Sequence, residues 1–233
     1  MTLGEIIGES KNIVFFGGAG VSTESGIPDF RSEDGLYSLK YDVPPEEILS
    51  HTYFMRHTDK FYDFYRDKMI FLSAKPNKAH YKLAQLEKEG RLSAVITQNI
   101  DGLHTAAGSK CVYELHGSVH RNICQNCGKV FSAEYIMSTA GVPHCECGGL
   151  IKPDVVLYEE PLDEKTVTGA INAISRADTL IVAGTSLTVY PAAGFVGNFG
   201  GKHLVLINKS PTPLDSKADL CIKGKVGDVL DNI

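Results

Sequence analysis

Three observations point to a doubly wound α/β fold with a parallel sheet: short apolar runs, amphipathic helical segments alternating with them, and a glycine-rich turn directly after the first run. The runs are residues 12–16 (NIVFF), 93–97 (SAVIT), 179–183 (TLIVA) and 203–207 (HLVLI). Their β-branched content and unbroken apolarity suit strands covered on both faces. Before SAVIT, Asn77 can cap a helix that carries Ala79, Leu83 and Leu86 on one face and ends at Gly90. Before TLIVA, residues 163–177 place Val167, Ala170, Ile171 and Ile174 on a single stripe. Strands joined by helical crossovers lie parallel, with helices on both faces.

Two stretches break this alternation. Residues 32–72 hold aromatics and charges at helical spacing, and residues 118–152 hold cysteines and glycines with little apolar periodicity. Both read as insertions between elements of the sheet. The expected division is a large domain of residues 1–31, 73–117 and 153–233, and a small domain made of the two insertions. Ligands of doubly wound folds sit at the carboxyl ends of the strands.

Composition narrows the function classes. The chain is 43% hydrophobic and 22% charged, as soluble globular proteins are. Its net charge of −5 argues against nucleic acid or an anionic membrane as partner, since both need clustered cations. No apolar run approaches the roughly 20 residues of a membrane span. The segment MTLGEIIGESKN lacks the basic start and apolar core of a secretory signal, so the expected location is cytoplasmic.

Four of the six cysteines are clumped: Cys124-x-x-Cys127, then, after 17 residues, Cys145-x-Cys147. Clumping outside a secreted context favours metal binding over disulfides. Two short pairs on two turns can form a tetrahedral thiolate site, with neighbouring His144 an alternative donor. Such a site is closed, so the expected ion is one structural Zn²⁺ per chain. The second insertion is therefore read as zinc-binding and the first as helical.

The glycine turn is Gly17-Gly18-Ala19-Gly20-Val21-Ser22. Glycines let backbone approach a pyrophosphate at the start of the next helix. Thr23 stands where a dinucleotide fingerprint has its third glycine, so the turn by itself is also compatible with an ordinary strand-to-helix connection. Three further segments are too polar for ordinary core: Gly26–Arg31 (GIPDFR), Thr97–Asp101 (TQNID) and Leu115–Gly117 (LHG). Gln, Asn and Asp at a strand end suit directional binding of an amide and a ribose, although each also serves in caps and turns. A lone histidine such as His116 is by itself more often structural than catalytic.

GAGVS, GIPDFR, TQNID, LHG, the four cysteines and Gly184-Thr185-Ser186 occur in the order found in sirtuins, and Asn208 after HLVLI extends the match. The chain resembles the short bacterial members of that family over nearly its whole length. The resemblance implies a Rossmann-like large domain and an NAD-dependent protein lysine deacetylase, a transferase acting on acyl-lysine proteins. In sirtuins the acyl oxygen attacks the nicotinamide ribose as nicotinamide leaves, and the acyl group passes to ADP-ribose. By motif match His116 is the general base, and Asn99 orients the ribose beside it. Gln98, Ile100 and Asp101 hold the nicotinamide end, and Phe30 covers the ribose face. Ala19, Gly20, Thr23 and Arg31 hold the phosphates, while Thr185, Ser186, Asn208 and Val226 hold the phosphate and adenosine portions. Val155, Val156 and Tyr158 pair with the substrate peptide by strand addition. Better-known members read phenylalanine-glycine-glutamate where this chain has Tyr158-Glu159-Glu160.

Three rival readings remain at this point: a nicotinamide dehydrogenase with structural zinc, a protein ADP-ribosyltransferase, and a non-enzymatic sensor of NAD⁺ or ADP-ribose. On acyl choice, sirtuins that prefer succinyl- or malonyl-lysine carry a tyrosine followed three residues later by arginine. Here Tyr65 stands three residues after Tyr62 and Arg66 four, so these aromatics are expected to pack the small domain and acetyl-lysine to be preferred.

Overall fold

The computed structural model describes residues 1–29, 35 and 42–233. Phe30 and Arg31, to which the resemblance assigns cofactor contacts, lie outside the described residues. Among the described residues no helix is long and apolar enough to cross a membrane.

The large sheet has six parallel strands in the order β3-β2-β1-β7-β8-β9. They are β1 (Ile13–Gly17), β2 (Leu92–Thr97), β3 (Val112–Glu114), β7 (Thr179–Ala183), β8 (His203–Asn208) and β9 (Leu220–Lys223). All residues of β1 and β7 are buried, as central strands covered on both faces must be. One face carries α1 (Leu3–Glu9), α5 (Lys78–Lys88) and α9 (Val226–Asp231), packed on Ile13, Phe15, Val95 and Val205, with the short α6 (Leu103–Ala106) against α5. The other carries α8 (Glu164–Arg176), whose Ala170 and Ile174 are buried against Val14, Phe16 and Leu180.

The expected caps are in place. The Asn77 side chain accepts from the Ala79 amide and starts α5, and Gly90 beyond its end has φ +74°. The segment after the glycine turn departs from the expected α-helix. It forms two 3₁₀ turns, Ala19–Val21 and Thr23–Ser25, closed by Gly26 at φ +82°. A left-handed residue ends a helix, and Pro28 two residues on cannot extend it.

A three-stranded antiparallel sheet in the order β5-β4-β6 is built from β4 (Gly117–Cys124), β5 (Val130–Phe131) and β6 (Ile151–Val155). It packs with α2 (Pro45–Ile48), α3 (His51–Arg56), α4 (Thr58–Lys68) and α7 (Ala133–Ser138) around Ile48, Phe54, Phe61, Tyr62, Tyr65, Ile136 and Ile151. The cysteine knuckles and the helical insertion therefore share one core. β4 begins at Gly117, the last residue of the LHG segment, so the junction of the two cores falls beside His116.

Candidate active site

In the large sheet the strand order reverses between β1 and β7, whose carboxyl ends lead into loops at the position where doubly wound folds take their ligands. The two loops approach so closely that only glycine fits. Gly18 and Gly20 amides donate to the carbonyls of Ala183 and Gly184, at 3.2 and 2.8 Å. A Cβ on Gly20 would stand 2.9 Å from the Gly184 carbonyl oxygen, and one on Gly184, at φ +59°, would stand 2.5 Å from the Val21 nitrogen. The Gly20 amide is thus engaged within the fold, and what this residue provides is backbone proximity.

At the end of β2 the polar residues form one connected network. Asn99, nearly buried, donates from Nδ2 to Ser22 Oγ at 3.0 Å. Ser22 Oγ in turn donates to Asp101 Oδ2 at 2.6 Å, and the Leu103 amide donates to Asp101 Oδ1 at 2.9 Å. Ser22 is 1% exposed and locks the Asn99 and Asp101 side chains to each other. Its central place was not foreseen from sequence, although it lies inside the GAGVS motif. His120 is a second unforeseen member; its Nε2 donates to the Asp101 carbonyl at 3.0 Å.

His116 Nδ1 lies 2.8 Å from the Gln98 carbonyl. A carbonyl only accepts, so Nδ1 carries the hydrogen and Nε2 is left as the acceptor. Burial pushes His116 below the ordinary imidazole range, and the hydrogen bond to Gln98, which favours the charged form, opposes this in part. Gly117 sets the geometry of the next step. It has φ +73°, and any Cβ there would overlap the Asp154 carbonyl oxygen.

A cavity of about 270 Å³ opens among these groups, bordered by Ala19, Ser22, Gln98, Asn99, Ile100, Asp101 and His116 on the large-sheet side. Val155, Val156 and Tyr158 border it on the other side, with the Val156 amide donating to the His116 carbonyl at 3.0 Å. Thr185, Ser186, Asn208 and Val226, to which the resemblance assigns the phosphate and adenosine portions, do not border this cavity. Thr185 Oγ1 donates to Gln98 Oε1 at 3.3 Å, and Asn208 Nδ2 donates to the Thr185 carbonyl at 3.0 Å. Gln98 Nε2 is buried without a partner among the described residues, a donor suited to a ligand oxygen. Ser186 is exposed and bonded to Thr188. Thr23 Oγ1 donates to the Gly20 carbonyl at 3.1 Å. Val226, 2% exposed, packs in the core with Ile207 and Leu230 and does not border the cavity. A close glycine-only backbone, an unmet amide donor and a crevice at the strand ends fit a dinucleotide.

The four cysteines converge. Sγ of Cys124, Cys127, Cys145 and Cys147 all lie within 4.8 Å of one another. Cys124 and Cys147 are 3.5 Å apart and Cys127 and Cys145 3.6 Å, too far for disulfides and close to the edge of about 3.8 Å in a tetrahedral zinc thiolate. His144 is not in the group; its Nδ1 bonds to the Val142 carbonyl. The tight Cys145-x-Cys147 pair is accommodated because Gly148 adopts φ +80° and Gly149 lies where a Cβ would stand 2.6 Å from Cys124 Sγ. These residues fit one zinc ion held by four thiolates.

A Rossmann-like sheet with a cysteine-rich small unit and a polar crevice at the strand reversal defines a class of NAD-using enzymes. The Sir2 family model matches residues 18–191, and the chain belongs to that family. A protein of Clostridium acetobutylicum described as an NAD-dependent protein deacetylase is 60% identical, over 99% of this chain and 96% of its own length. One from Cutibacterium acnes with the same description is 53% identical, over 97% and 94%. Among solved structures, a Sir2 protein with its histidine changed to alanine, bound to deacetylated p53 peptide and 3′-O-acetyl ADP-ribose, has a TM-score of 0.89. It shares 41% identity and covers 99% of this chain and 96% of its own.

Proposed function

We propose that this chain is an NAD-dependent protein lysine deacetylase that transfers the acyl group of N6-acyl-lysine to ADP-ribose and releases nicotinamide. The observation that carries this reading is His116, an imidazole held neutral by burial, fixed as one tautomer by Gln98, and bordering the same cavity as Asn99 and Asp101. Such a group takes a proton near neutral pH. His116 Nε2 is the general base toward the ribose hydroxyls, and Asn99, held by Ser22, orients the ribose. Asp101 and the Ile100 backbone receive the nicotinamide carboxamide. Ala19, Gly20 and Thr23 approach the phosphates, with Arg31 beside them, and Phe30 shields the reacting face from water. Gln98 helps position the nicotinamide end, and Thr185, Ser186, Asn208 and Val226 serve the phosphate and adenosine portions. NAD⁺ supplies an electrophilic anomeric carbon when bound.

The zinc ion is structural in this reading, and the small domain is the pair of insertions, 32–72 and 118–152. Acyl-lysine proteins are the partners, received along the cavity wall at residues 155–158, where Tyr158 contributes its side chain because its amide and carbonyl are bonded to Leu49 and His51. Nucleic acid is not among them, in keeping with the net charge of −5. The compartment is the cytoplasm, where thiols of this kind stay reduced.

Mass spectrometry of the products from NAD⁺ and an acetyl-lysine peptide tests the reaction. Nicotinamide together with O-acetyl-ADP-ribose supports it. Reduced cofactor would indicate a dehydrogenase instead, and label from NAD⁺ retained on the peptide would indicate ADP-ribosyl transfer.

A further inference from the structure

Among the described residues other than glycine, only Glu159 and Leu187 hold φ in the left-handed region, at +76° and +55°. A side chain with a Cβ disfavours that conformation, so something must hold it. At Glu159 the holding group is its own carboxylate. Oε2 accepts from the Thr52 amide at 2.9 Å and from Thr52 Oγ1 at 2.7 Å, at the second residue of α3.

The neighbours of Glu159 are pinned to the same element. The Tyr158 amide donates to the Leu49 carbonyl and the His51 amide to the Tyr158 carbonyl, each at 3.0 Å. Glu160 binds His51 Nδ1 at 2.8 Å, Lys152 Nζ at 3.0 Å and the Leu157 amide at 2.9 Å. Tyr158 thus turns both its backbone groups toward residues 49–51. The N–H and C=O of Glu159 make no bond with another described residue, and Glu159 borders the cavity.

We propose that Glu159 is a peptide-positioning residue. Its carboxylate, latched to Thr52, holds its own backbone in the left-handed conformation that presents an unpaired N–H and C=O to the substrate main chain. This rests on the reading that residues 155–158 carry the peptide.

The test is steady-state kinetics of the full chain with an acetyl-lysine peptide and NAD⁺, for Glu159→Ala, Glu159→Gly, Glu159→Gln and Tyr158→Ala. Glu159→Ala loses the latch and keeps the strain, and should raise peptide KM about 10-fold, the scale of one charge-assisted hydrogen bond. KM for NAD⁺ should move less than about twofold. Glu159→Gly loses the latch without the strain, and Glu159→Gln keeps an uncharged acceptor, so both should fall between parent and Glu159→Ala. A peptide KM unchanged in Glu159→Ala but raised in Tyr158→Ala overturns the latch while leaving the peptide segment standing. Unchanged values in both overturn the peptide segment, and the latch with it. A parallel rise in KM for NAD⁺ overturns positioning in favour of a general structural role.

Discussion

Exchanging acetyl for succinyl on the same lysine of the same peptide adds one carboxylate to the acyl end, and the structure indicates how it would be received. Arg66 donates from Nε to the Ile136 carbonyl at 3.0 Å, and from Nη2 to Thr139 Oγ1 at 3.1 Å and the Gly141 carbonyl at 2.5 Å. Its guanidinium also lies over the Tyr62 ring, 5.2 Å from the centroid. Tyr62 is fully buried with its hydroxyl donating to the Ile151 carbonyl, and Tyr65 is fully buried beside it. None of the three borders the cavity. Hydrogen bonds from a charged group contribute about 1.5–3 kcal/mol each, so freeing Arg66 costs about 5–9 kcal/mol before any new pairing. Lys68 is the lysine at the cavity wall, and its Nζ pairs with Asp67 at 2.9 Å. Among the described residues, a succinyl carboxylate thus meets only cations that are already paired, and entering unpaired costs about 3 kcal/mol after partial hydration. That predicts kcat/KM about 100-fold lower for the succinyl peptide than for the acetyl peptide. Competing the two peptides and measuring both rates checks it. Equal or faster succinyl turnover would mean that a cation does reach the acyl end, and loss of that turnover in Lys68→Met would identify it.

Four further outcomes follow from the same geometry. His116→Ala should lower deacetylation by about 10²–10⁴-fold while ADP-ribose binding, followed by calorimetry, persists; in the parent, a base held below the ordinary imidazole range stays deprotonated on acidification, so kcat/KM should begin to fall only below about pH 6.5. Asp101→Asn retains a carbonyl to accept from Ser22 but loses the charge, and should slow exchange of labelled nicotinamide into NAD⁺ more than about 10-fold; exchange at the parent rate would remove Asp101 from that pocket. Protein prepared without chelator should contain one zinc per chain, and its removal should increase hydrogen exchange in both β4 and α4, because Cys124 and Cys145 share a core with Tyr62 and Phe61; a folded, active, zinc-free preparation would exclude the site. His80 and His104 are lowered by burial to about 4 and about 3, so between those values and about 6.5 the unfolded chain binds the extra protons. Stability should then decrease as pH falls, by about 2 kcal/mol from each histidine at pH 5, and equal urea midpoints at pH 7 and pH 5 would contradict this.

What could be read from the sequence divides along a physical line. NIVFF, SAVIT, TLIVA and HLVLI were legible because strands buried on both faces write their burial into composition, and each lies in the sheet within a residue or two. β9, by contrast, sits at the sheet edge with alternating half-exposed residues, and four residues of alternation carry little signal. The small antiparallel sheet was equally silent: its strands owe their pairing to convergence of the cysteine knuckles and to packing under Tyr62, and neither depends on local periodicity. The site divides in the same way. Cysteine spacing was enough to expect a closed cluster, but which donors close it was settled by Gly148 and Gly149 permitting the tight second turn, to the exclusion of His144.

Ser22 makes the limit plain. It is one buried hydroxyl in a glycine turn, and its importance comes from meeting Asn99 and Asp101 more than 70 residues away. That meeting exists only because β1 and β2 are adjacent and end level, with Gly17 paired to Thr97. Motif residues are thus legible as chemistry-bearing types, while the bonds that set their protonation and direction belong to the sheet order. The same holds for Glu159. From sequence it is a departure at a position where better-known members carry glycine, and that alone says nothing of what the added side chain does. In the structure the added side chain supplies the restraint that the backbone conformation requires, and it does so by reaching α3, an element that begins more than 100 residues earlier. A substitution that reads as a lost motif residue is in this fold a new contact between the cavity wall and the helical insertion.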